Sequence, residues 1–102
     1  MKNVCFENGI VVYDEFSVAI EKPLGNQLWE LKEDLLQVKY FDKYRNIYII
    51  DMGWYPEFNP LGKLKIVIVR NFQWDNPVYM RTGNIQDVYS ILNDCIDYIN
   101  RI

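Results

Sequence analysis

The chain has 102 residues, half of them hydrophobic and a quarter charged, with a formal net charge of −3. That is a globular composition with room for a single domain, residues 1–102; it excludes whole-chain disorder and is the opposite of the basic balance that phosphate-backbone binding requires. With no histidine and only two cysteines, the usual general base, the usual zinc ligand and any Ser-His or Cys-His nucleophile pair are missing.

The opening, Met1-Lys2-Asn3-Val4-Cys5-Phe6-Glu7, has a charge where a signal peptide keeps its apolar segment, which points to the cytoplasm. Cys5 and Cys95 are then expected as free thiols. Short strands are predicted at Ile10–Tyr13 and Phe16–Ile20 from their apolar, β-branched content. Residues 27–38 predict a helix. Leu28, Leu31, Leu35 and Val38 recur at helical intervals, Trp29 and Leu36 widen the stripe, and Asn26 stands where a cap is needed. Glu30, Glu33, Asp34 and Gln37 would form its outer face.

Ile47–Met52 and Leu64–Val69 predict two strong strands, an antiparallel pair whose long join is punctuated by Gly53, Pro56, Pro60 and Gly62. The stretch Ile66–Val69 is the longest aliphatic run, far short of the roughly 20 apolar residues of a membrane helix. Another short strand is predicted at Val78–Arg81, with Pro77 favouring an edge or a strand start. The last element is the clearest helix. Asn84 and Asp87 have capping-box spacing, and Ile85, Val88, Ile91, Leu92, Cys95, Ile96, Ile99 and Ile102 hold one apolar face. Asp87, Ser90, Asp94, Asp97 and Arg101 advance along the opposite face. The expected architecture is α+β: an antiparallel β-sheet with two helices packed on one face, in a single domain.

Aromatic residues bunch at 51–58, Asp-Met-Gly-Trp-Tyr-Pro-Glu-Phe, and at 72–75, Phe-Gln-Trp-Asp. Trp54 and Trp74 either fill the core or anchor a partner. The run Leu31-x-x-Asp34-Leu35-Leu36-Gln37-Val38-x-Tyr40, followed by Ile50-Asp51-Met52-Gly53-Trp54-Tyr55-Pro56-Glu57-Phe58-Asn59-Pro60-x-Gly62, resembles small bacterial immunity proteins. These are the CdiI proteins of contact-dependent growth inhibition and related polymorphic-toxin systems, and the resemblance covers roughly residues 28–80. It implies a cytoplasmic, non-catalytic protein that binds the C-terminal toxin domain of a sister cell's surface protein and blocks it. Many such toxins are nucleases, often ribonucleases acting on tRNA.

A nuclease presents a basic cleft, which an inhibitor can fill with carboxylates where phosphates would sit. Three sets of residues are candidates for that contact. Asp87, Asp94 and Asp97 share one stripe of the last helix and are favoured. Tyr55, Glu57 and Phe58 form an aromatic anchor, and Glu30, Glu33 and Asp34 lie on the first predicted helix. A motif shared by proteins that meet different toxins is as readily scaffold as interface. No cofactor, metal, direct nucleic-acid contact or membrane contact is expected. The rival readings are an acidic protein-binding or adaptor module without a toxin partner, and a small carboxylate-dependent enzyme.

Overall fold

The computed structural model describes Met1 and Asn3–Ile102. Five strands, β1 (Ile10–Asp14), β2 (Leu36–Phe41), β3 (Ile47–Tyr55), β4 (Lys63–Arg70) and β5 (Tyr79–Gly83), precede one helix, α1 (Val88–Asn100). The strands form one antiparallel sheet in the order β1-β2-β3-β4-β5, so each strand lies beside its neighbour in sequence. The predicted pair 47–52 and 64–69 is present and longer, since β3 runs on through Gly53 and Trp54. Pro77 precedes an edge strand, as its missing N–H requires.

One face of the sheet is apolar by strict alternation. Leu36 and Val38 of β2, Ile50 and Met52 of β3, and Ile66 and Ile68 of β4 are all fully buried there. They meet Val88, Ile91, Leu92, Cys95 and Ile96, the buried stripe of α1. A 3-10 turn, Ile85–Asp87, leads into the helix, and the capping box forms as the spacing predicts, with the Asn84 N–H donating to Asp87 Oδ2 at 2.9 Å. The stripe does not reach the end of the helix: Ile99 is half-buried and Ile102 exposed. Among the described residues no helix is long and apolar enough to cross a membrane.

The first predicted helix is absent, so the expected pair of helices on one face is corrected to one. Leu24–Asn26 and Leu28–Glu30 are single 3-10 turns, and Asn26 belongs to the first of them instead of capping a helix. The Gln27 side chain bridges back across the chain, donating to the Ala19 carbonyl at 3.0 Å and accepting from the Ala19 N–H at 2.7 Å. From Leu31 the chain is bonded to β3: Trp54 N–H donates to the Lys32 carbonyl at 2.8 Å, and Leu35 N–H to that of Met52 at 2.9 Å. Leu31 and Leu35 are still fully buried, but as plugs at the sheet end. Strand periodicity takes over at Leu36. Residues 16–20, expected as a strand, are irregular; Val18 is drawn into the core and Ala19 is tied to Gln27.

The opposite face of the sheet has a row that is polar on β1, β2 and β3 and apolar on β4 and β5. Cross-strand register aligns Tyr13, Gln37, Asp51, Val67 and Met80 across all five strands. The β4–β5 connection covers part of this face, since Trp74 and Pro77 line a cavity together with Asp51 and Val67.

Candidate protein-binding surface

Asp51 interrupts an otherwise apolar strand, and the sheet places it between Gln37 and Val67. Gln37 Nε2 donates to Asp51 Oδ2 at 3.0 Å. Burial pushes the Asp51 carboxyl above its ordinary range; the Gln37 hydrogen bond opposes that shift and the nearby Asp34 charge adds to it. The Tyr13 phenol is pushed up to about 12, by burial first and then by the charges of Asp51 and Asp34. Burial, followed by Asp51, Glu33 and Asp34, also raises the Tyr55 phenol. Three carboxylates from two stretches of chain, Glu33 and Asp34 before β2 and Asp51 in β3, therefore lie near two phenols at one end of the sheet.

This convergence requires a glycine. A Cβ on Gly53 would lie 1.9 Å from the carbonyl oxygen of Glu33, so only a residue without one lets the 31–35 segment lie against β3. The Tyr55 hydroxyl lies 3.4 Å from that same carbonyl, and Phe58 N–H donates to the Leu31 carbonyl at 2.7 Å. Trp29 meets Phe58 edge-to-face with ring centroids 5.2 Å apart, while remaining 73 % exposed. Two of the predicted sets, Glu30, Glu33 and Asp34 with Tyr55, Glu57 and Phe58, thus come together although the first lies on no helix. Glu33, Asp34, Tyr55, Glu57 and Phe58 are exposed there and Glu30 is half-buried.

The third set stays apart on α1. Asp87 is engaged in the capping box, and Asp94 receives Arg81 Nη1 at 3.1 Å. Asp97 has no ion-pair partner among the described residues; it borders a groove with Tyr79, Tyr98 and Arg101. Two of the three acids of the favoured stripe are therefore committed to holding the fold.

The sequence reading missed Tyr13, Gln37 and Asp51 as site residues. Asp51 carried a signal, a carboxylate inside an apolar run; Tyr13 carried none, because register alone brings it near. No group of histidine, cysteine and carboxylate side chains that could hold a metal occurs among the described residues. Comparisons with protein-family models, with curated proteins and with solved structures find no match.

Proposed function

We propose that this chain is an immunity protein that binds a basic toxin domain, a nuclease of the contact-dependent growth inhibition type, and occludes its active site in the cytoplasm. The observation that carries this reading is the convergence of Glu33, Asp34 and Asp51 with Tyr13 and Tyr55, continuous with the exposed Trp29–Phe58 pair. Aromatic residues beside three carboxylates, with Lys65 as the nearby cation at 5.8 Å from the Tyr55 ring centroid, supply packing anchors and charge complementarity to a cationic cleft. Apart from Tyr13, the residues of this surface fall within residues 28–80, the stretch that resembles CdiI proteins. Carboxylates occupying phosphate subsites exclude substrate without any chemistry on the part of the inhibitor.

The experiment is binding of the toxin domain encoded beside this chain, at low and moderate salt. Paired reversal of Glu33 and Asp34 to lysine should slow association and flatten its salt dependence, with the melting temperature nearly unchanged. Reversal of Asp97 on α1 serves as the control. Wild-type affinity in the Glu33/Asp34 variant at both salts would move the interface elsewhere. If the toxin domain does not bind the wild-type chain, the adaptor reading replaces this one.

A further inference from the structure

The net charge of −3, which speaks against phosphate binding by the chain as a whole, averages over two unlike ends. The carboxylates of the docking surface gather where β3 ends, at Tyr55. Where β3 begins, the β2–β3 hairpin carries Lys43 and Arg45, and Arg70 closes β4. All three are exposed, and none pairs with a carboxylate among the described residues.

A cavity of about 340 Å³ opens at this end, between the sheet and the last turn of α1. Its size falls within the roughly 300–1,000 Å³ of small-molecule pockets. Tyr40, Phe41, Tyr44 and Tyr48 line it from the sheet and hairpin, and Ile99 from the helix. Register sets Tyr40, Tyr48 and Arg70 side by side on β2, β3 and β4, so the three project from one face and Arg70 extends the floor. Lys43 also lines the cavity, its ammonium 5.2 Å from the Tyr44 ring centroid. Tyr44 itself is 73 % exposed, yet the turn fixes it: the Asp42 carboxylate accepts from the Tyr44 and Asn46 N–H groups, each at 2.8 Å. Asp42 is the carboxylate of the lining, and its other oxygen is taken by Asn46 Nδ2 at 2.9 Å. Glu7, exposed beside the lining residue Asn8, is the next nearest along the chain. The buried hydroxyl of Tyr40 has no hydrogen-bond partner among the described residues, where such groups are nearly always paired.

We propose that this cavity binds a nucleotide, its base stacked among Tyr40, Tyr44 and Tyr48 and its phosphate held by Lys43 and Arg70. Every base has a face that stacks on an aromatic ring, and cations beside the rings take the phosphate. A nucleoside lacks the second contact and inorganic phosphate the first. A duplex hides its base faces and cannot enter. The same chemistry is offered by a free nucleotide and by one unit of a single strand. The cavity lies at the opposite end of β3 from the docking surface, so it is independent of the toxin reading.

The test follows backbone amide shifts by NMR at low salt. The chain is titrated with adenosine and uridine monophosphates, the matching nucleosides, inorganic phosphate, and single- and double-stranded oligonucleotides. The monophosphates should shift the amides of residues 40–48 and 99–102 and bind more tightly than nucleoside or phosphate alone. Tyr44→Ala and Lys43→Glu, both at exposed positions, should each weaken the monophosphate by about fivefold or more with the melting temperature unchanged. Tighter binding of the single strand than of the monophosphate identifies a nucleic-acid chain as the source, and equal binding identifies the free nucleotide. The inference is overturned if no ligand shifts these amides, if nucleosides bind as well as monophosphates, or if Tyr44→Ala binds like wild type. A duplex that binds as well as the single strand overturns it too. So does a glutamate-rich peptide that binds this end as tightly, which would assign the cations to an acidic protein.

Discussion

The indole N–H of Trp54 donates to the carbonyl oxygen of Asn59 at 2.7 Å, and its ring is 1 % exposed. A residue of β3 thereby fixes the path of the loop that follows it. Gly62 completes the arrangement, because a Cβ there would lie 2.7 Å from Trp54 Nε1 and 2.7 Å from the Tyr55 carbonyl oxygen. Within the aromatic motif Trp54 is scaffold, while Tyr55 and Phe58 reach solvent. Trp54→Ala should lower stability by about 3–5 kcal/mol in urea unfolding. A loss below about 1 kcal/mol would show that the loop is held by something else.

Gly53→Ala should be costly for a different reason. The added carbon meets backbone at Glu33, which cannot rotate away as a side-chain tip would. A destabilisation of about 1–3 kcal/mol or more is expected, as for overpacking in a core. Exchange at the amides of Leu35 and Trp54, which bond β3 to the 31–35 segment, should quicken. Unchanged protection there would refute the close approach.

Asp51 makes stability depend on pH in the less common direction. Its carboxyl is raised by burial from an ordinary value of 3.8, so the folded chain holds a proton that the unfolded chain has already released. Stability is therefore lost as pH rises through that interval, and the penalty is fully present once Asp51 is ionised in the fold. Asp51→Asn should raise the melting temperature at pH 7 and make no difference below pH 3.8. A gain that persists in acid would trace to packing.

The thiols should react at very different rates. Cys5 is exposed, whereas Cys95 is buried under α1 and its thiol is pushed up to about 12, by burial first and then by Asp94. The thiolate is the reactive form. Thiol counting under native conditions should find one fast group, with the second appearing only on unfolding. Two fast groups would mean that α1 lifts from the sheet.

Along α1, Ile96 is 6 % exposed and Ile99 only half-buried. Ile96→Ala should cost about 2–5 kcal/mol and Ile99→Ala clearly less, by thermal melts. Equal shifts would place the helix in a different register.

How far the fold could be read from sequence depended on whether local and distant demands agreed. The last helix was legible because the Asn84–Asp87 cap and the apolar stripe from Val88 to Ile96 point the same way. Leu28, Leu31, Leu35 and Val38 fit a helical stripe equally well. What decides against it is remote: Gln27 bonds to Ala19, and Lys32 and Leu35 bond to β3. The aromatic motif was visible, yet burial separated Trp54 from Tyr55 and Phe58 only once β3 was seen to continue past Gly53. Asp51 was legible as a charge in an apolar strand, whereas its meeting with Tyr13 passes through Gln37 of the strand between them.

The order of elements has a consequence for biogenesis. Every strand precedes α1, and each pairs with the strand synthesised just before or after it. The meander can therefore zip up vectorially, with short loop closures and no strand waiting to be inserted between two others. Its apolar face lacks its lid until the helix has been made. At roughly 5–20 residues per second, residues 85–102 take about 1–4 s to add. Until the helix docks, Ile50, Ile66 and Ile68 have no cover from α1, so the sheet completes its core only with the last element of the chain.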